Sequence, residues 1–410
     1  MKNLYIIYCA VALSLLAGCK MASSPSSDGP SLDGPSLDDP SSDDPSSDGP
    51  SSDDPSSDGP SSDDPSSDDP SSEPGADISG NKYWSSIAMS SDGEKLAAVV
   101  YGGRIYTSSN SGAKWTDRST AGSAIAGNKI WYSIAMSPDG QKLAAVVNGG
   151  HIYTSTDLGA NWTDRSTATG SGIGGNKNWT SIAMSDDGTK LAAVVGGSSG
   201  DGRHIYTSKD SGANWTDRST GAIEGNKNWI SIAMSDDGEK LAAVANDGHI
   251  YTSTDLGATW TDRSTATGSA IAGDKNWTSI AMSGNGDELA AVASRGHLYS
   301  YTDEESTWTD RSTGAIEGNK NWFSIAMSGN GEKLAAAVLL GHIYTSTDSG
   351  ATWTDRSTGT ISGAKYWYSI AMSDNGERLA AVVFPGHIYT SSNSGAAWVD
   401  RSRAPSIGAP

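Results

Sequence analysis

Seven near-copies of one unit, four short strands legible in each, and fourteen tryptophans placed two to a copy predict an all-β fold. The architecture they point to is a seven-bladed β-propeller of four-stranded antiparallel blades, preceded by a disordered linker. The copies begin at Trp84, Trp131, Trp179, Trp229, Trp277, Trp322 and Trp367, 45 to 50 residues apart. They close at Trp115, Trp162, Trp215, Trp260, Trp308, Trp353 and Trp398. In the fourth copy "WISIAMS" (229–235) leads through an Asp-Asp-Gly turn to "KLAAVA" (240–245), an apolar run suited to a strand covered on both faces. An Asn-Asp-Gly turn gives "HIYTS" (249–253), and "TWTDRS" (259–264) ends the unit. A linear solenoid is the alternative, but it would leave two Trp-rich ends open with no capping repeat.

The copies occupy 76–403 and are followed by a short tail, 404–410. What precedes them is of another kind. Lys2, the apolar run Leu4 to Leu16 and the small residues after it have the form of a secretory signal, 1–18. Leu16-Ala17-Gly18-Cys19 resembles a bacterial lipobox, a likeness that implies diacylation of Cys19 and anchorage to a membrane. Lys20, where the sorting rule for inner-membrane retention has Asp, points by the same resemblance to the outer membrane or cell surface. Residues 19–75 then form a tether. From Ser23 to Pro74 the chain is nearly all Pro, Ser, Asp and Gly, with fourteen Asp, Glu73 and no base. Such a segment has too little apolar surface to offset the entropy of ordering, and its charge and prolines extend it. The two cysteines, Cys9 and Cys19, both precede it, so the repeats contain neither a disulfide nor a cysteine-bound metal.

The octapeptide before the second tryptophan, "STDLGATW" in the fourth copy, resembles the Asp-box, or bacterial neuraminidase repeat, Ser/Thr-x-Asp-x-Gly-x-Thr-Trp. Its Asx residues are Asn110, Asp157, Asp210, Asp255, Asp303, Asp348 and Asn393. The resemblance covers about four-fifths of the chain and implies the propeller fold of sialidases, of xyloglucan-degrading glycosidases and of a photosystem II assembly factor family. It also implies that the box lies at the blade periphery, away from any ligand. The residue types agree: an Asx that bonds following backbone groups and a Gly free to take positive φ make a self-contained hairpin. The fifth copy, "YTDEESTW", has Glu305 at the Gly position and is expected to have a distorted turn.

Because the copies are nearly identical, shared residues are assigned to the fold, and function is sought where copies differ. The seven Arg of "DRS" are expected on the outer strand as a charged edge. The Lys before each first Trp, Lys82 to Lys365, is expected in a solvated loop. Six histidines at one repeat position, one per blade, are too far apart to share a metal, so no metal and no cofactor is expected. Three convergent arginines and a Tyr-Glu pair, which sialidase chemistry needs, are not recognisable. Glu224 and Glu317, the best non-repeat carboxylates, lie two blades apart, whereas glycoside hydrolysis needs two about 5–10 Å apart. A non-enzymatic role is therefore expected.

The differences gather on one face, where the loops into strand one and between strands two and three emerge. Tyr83, Tyr101, Leu340, Tyr366 and Phe384 are expected to form an apolar and aromatic patch across the junction of copies seven and one, with the insertion "GGSSGDGR" (196–203) as a rim. The sequence thus predicts a non-catalytic binding module for a glycan or a protein, with a monomeric head. A sialidase-like glycoside hydrolase and an assembly factor for a membrane complex are the alternatives. A pI of about 4.5 without basic clusters argues against nucleic acid. Ring closure is left to blade packing, to 75–81 or to 402–410.

Overall fold

A computed structural model describes residues 76–402 apart from 121, 168–171, 198–202, 226, 266–268 and 305. The signal segment, Cys19, the tether, Glu305, most of the 196–203 insertion and the tail beyond 402 lie outside the described residues.

Among the described residues, twenty-eight strands fall into seven sets of four. In the first set β1 (Trp84–Met89), β2 (Leu96–Gly103), β3 (Ile105–Ser108) and β4 (Thr116–Asp117) pair antiparallel in that order. Leu96 to Val99 are fully buried without alternation, as a strand walled on both faces must be. Trp84 is also fully buried and meets Tyr106 edge to face, centroids 5.6 Å apart. Every set repeats this pair at 5.3 to 5.7 Å. The alanines of the second strand let sets approach closely: Ala97 and Val99 of the first share a cluster with Trp131 and Ile134 of the second.

Successive sets are stitched together. The end of β2 pairs with the start of β5 (Lys129–Met136) through Tyr101 and Ile130, and four further junctions do the same. The third-to-fourth junction, where the insertion lies, and the last-to-first junction depart from this ladder. One circle of bonds is nonetheless complete. The Oγ of Ser86 accepts from the Ile134 N–H at 3.3 Å, and each set repeats the contact to its successor until Ser369 accepts from Ile87 of the first set. A second circle joins the turns between strands one and two, running from Ser91 N–H to the Pro138 carbonyl and on from Asp186 through Asp236, Gly284, Gly329 and Asp374 back to Ser91. Its single gap falls at Pro138, which has no N–H to give.

The junction of last and first sets is closed by the segment before β1. Lys82 and Gly386 exchange backbone bonds, Ala76 donates to the Trp115 carbonyl at 2.6 Å, and Ile78, 6 % exposed, packs with Trp84, Val100 and Trp115. Among the described residues, closure therefore rests on set-to-set packing and on 76–82.

Candidate functional site

Each inner strand carries a β-bulge immediately after its tryptophan, shown by a register shift between Trp84 and Ser86 and at the same place in all seven sets. A bulge leaves one residue unpaired and re-aims its side chain. The bulged residues are Ser85, Tyr132, Thr180, Ile230, Thr278, Phe323 and Tyr368, and together with serines of the following position they line one cavity of about 140 Å³. Contribution from all seven inner strands places it on the axis of the repeats.

The bulged residues divide into two kinds. Ser85, Thr180 and Thr278 are held by their hydroxyls, each donating to the Trp carbonyl of the next set at 2.9 to 3.0 Å. Tyr132, Ile230, Phe323 and Tyr368 are large. Burial pushes the Tyr132 phenol up to about 12 and the Tyr368 phenol well above its ordinary value, so neutral phenols line the cavity far into the alkaline range. No charged residue lines the cavity.

An aromatic arc extends this lining outward. Phe323 meets Tyr368 at 4.3 Å, Tyr368 stacks on Phe384 at 4.8 Å, and Phe384 meets Tyr83 at 5.1 Å and Tyr101 at 6.1 Å. Tyr101 then reaches Tyr132 at 6.3 Å. The arc spans sets six, seven, one and two. Across the axis stand Thr180, Ile230 and Thr278, and on the same face Asn246, which is 8 % exposed and whose Nδ2 has no hydrogen-bond partner.

Of the five patch residues named from sequence, Tyr83, Tyr101 and Phe384 come together. Phe384 is only 7 % exposed, while Tyr83 and Tyr101 are half-buried around it. Tyr366 pairs with Leu339 and packs in the cluster of its own set. Leu340 is 54 % exposed at φ 57°, at a register irregularity near the end of its strand, one place beyond the position equivalent to Tyr101 and Phe384. Leu339 holds that position. Sequence reasoning missed Tyr132, Phe323 and Tyr368. Their signal was present, since the place after the first Trp reads S, Y, T, I, T, F, Y inside an otherwise near-constant strand.

The opposite end of the inner strands carries acids. Asp236 leans over Gly284 of the following turn and Asp374 over Gly329 of the preceding one. Desolvation, then the charge of Asp236, pushes Asp186 up to about 6; Asp236 is raised by desolvation and by Asp374. Glu224 and Glu317 are exposed, each ending a short 3-10 turn in a different connection.

The box residues do structural work. Asp255 Oδ1 accepts from Thr259 N–H and Ser253 Oγ, Ser253 Oγ accepts from Gly257 N–H, and Trp260 Nε1 donates to the Gly257 carbonyl at 3.0 Å. Gly257 lies against the Arg218 side chain of the preceding set, at φ 77°. The "DRS" arginines are therefore not a free charged edge: they are half-buried bricks, with Arg118 Nε donating to Thr107 and its stem packed under Gly159. In the fifth set the flanking strands run on to Thr302 and from Thr307, and the positive φ falls on Ser306, three places after the Asx instead of one. The turn there does differ from its siblings. Each histidine Nδ1 faces the Asp of its own outer strand, as His151 does Asp164 at 2.7 Å. Among the described residues no three His, Cys, Asp or Glu gather to hold an ion. Six of the lysines sit over tyrosine rings, Lys227 Nζ 5.4 Å from that of Tyr251.

No protein-family model matches the sequence, and no curated protein matches it. Solved structures do resemble the fold. YCF48 bound to D1 peptide aligns with TM-score 0.56 at 16 % identity, over 76 % of this chain and 93 % of that one. YCF48 from Cyanidioschyzon merolae aligns at 0.54 and 17 %, over 76 % and 95 %. An ancestral GH74 enzyme aligns at 0.60 and 16 %, over 80 % of this chain and 47 % of that one. At such identities the likeness gives the fold, and the fold is a β-propeller.

Proposed function

We propose that the chain is a seven-bladed Asp-box propeller acting as a non-catalytic binding module, tethered to a bacterial envelope through a lipid on Cys19, whose ligand seats in the axial mouth. One observation carries this reading. Repeats that are otherwise near-identical diverge at the bulge and at the end of strand two; the bulge residues line one cavity, and Tyr101 and Phe384 of strand two pack against them. A scaffold needs no such divergence, whereas recognition does. The absence of any carboxylate from the lining supports binding over hydrolysis, since Glu224 and Glu317 stand apart on separate connections. An assembly role with a protein partner is the second reading, favoured by the D1 peptide carried by one structure of the same fold.

The test is ligand capture by the full chain, using glycan and peptide panels, beside a Phe323→Thr, Tyr368→Thr variant. Saturable binding that this variant loses would support the mouth. Binding that it keeps, with the variant folded, would move the site elsewhere.

A further inference from the structure

Resting on the mouth being the binding site, the geometry points to its ligand class: one neutral sugar ring inserted end-on, the exposed terminus of a glycan without a carboxylate. Three observations carry this. The first is charge. No Arg or Lys lines the cavity, so nothing there offsets the desolvation of an acidic sugar or an acidic side chain. The second is shape and surface. Tyr132, Phe323 and Tyr368 present aromatic carbon to the cavity, with Phe384 and Tyr101 packed against them, a surface matched to the C–H face of a pyranose. At about 140 Å³ the cavity is small, which favours a single terminal ring over an extended chain.

The third is hydrogen-bonding capacity. Ser133, Ser231, Ser279, Ser324 and Ser369 line the cavity, and the Oγ of each accepts from an Ile N–H of the next blade. Their own O–H hydrogens have no protein acceptor among the described residues. A ring of hydroxyl donors converging from several directions suits a ligand that offers oxygen acceptors around its rim, as a hexose does and an aliphatic or aromatic side chain does not.

The experiment uses the full chain, reads tryptophan fluorescence and calorimetry, and titrates methyl β-glucoside, methyl β-galactoside, methyl α-mannoside, sialyllactose and a random peptide pool. The key variant is Tyr132→Ser, which installs in the second blade the residue the first blade already carries, so the scaffold accepts it; Tyr368→Phe is the conservative partner. The expected result is saturable binding of at least one neutral glycoside, weakened about tenfold or more by Tyr132→Ser and kept by Tyr368→Phe. Tighter binding of sialyllactose than of every neutral glycoside overturns the inference. So does peptide binding that Tyr132→Ser abolishes with no glycoside bound, an outcome that leaves the mouth as the binding site. No binding of any probe overturns both.

Discussion

Lys82 and Gly386 exchange backbone hydrogen bonds, 3.1 Å from the Lys82 N–H and 2.9 Å from the Gly386 N–H, and so join the two ends of the repeat array. Ile78, four residues earlier, fills the slot that Ile125, Ile173 and their counterparts fill in the other blades. The first prediction concerns this clasp. Ile78→Ala is expected to lower stability by about 2–5 kcal/mol, the usual cost of deleting a buried isoleucine, read as a lowered urea midpoint. An unchanged midpoint would mean that closure is carried by blade packing alone.

The Asp-box offers an internal comparison. Asp255→Ala removes the acceptor that orders its turn and is expected to cost about 1 kcal/mol. Asp303→Ala, in the fifth box, where the flanking strands pair on through Tyr301 and Trp308, is expected to cost less. Equal losses measured by thermal or urea unfolding would refute the structural difference between the two boxes.

Gly257→Ala is expected to be worse than either. The residue sits at φ 77° with a methyl's space 3.3 Å from the Arg218 stem, so substitution strains the backbone and presses on the neighbouring blade. A loss of more than about 1 kcal/mol is expected from unfolding curves.

Hydrolysis is tested directly. Aryl glycosides are expected to turn over no faster with the full chain than in buffer. A measurable rate that Glu224→Gln and Glu317→Gln each abolish would install the hydrolase reading instead.

Acid groups around the axis set a pH dependence of known sign. Asp186 is pushed up to about 6 in the folded chain, from an ordinary value of 3.8, so the folded state binds its proton more tightly. The stability it contributes is present below about pH 4 and lost as pH rises through about 6. Asp186→Asn should therefore raise the melting temperature at pH 7.5 relative to the parent and show a smaller difference at pH 4. A larger gain at pH 4 would reverse the assignment.

Much of the fold was readable because each copy repeats the same local chemistry. The unbroken apolar run Leu96 to Val99, the turn residues and the Asx-Gly-Trp order all act within a dozen residues. What stayed hidden depends on register or on contacts between copies. Leu339 and Leu340 are adjacent and both apolar, and only the pairing with Tyr366 shows which one holds the mouth position. Arg118 reads as an edge charge until Gly159 of the next blade is seen lying on it. Tyr132 and Tyr368 sit beside the most constant residue of the repeat, and without the bulge their side chains have no evident direction.

The bulge has an evolutionary consequence. Its residue takes no part in strand pairing, and the seven instances are separate codons beside a tryptophan that every copy keeps. On the function proposed above, specificity can be rewritten one letter at a time, as a seven-letter word now spelled S-Y-T-I-T-F-Y around the axis, while the framework that displays it goes unedited. A library randomised at those seven codons would sample new ligands on a single inherited fold.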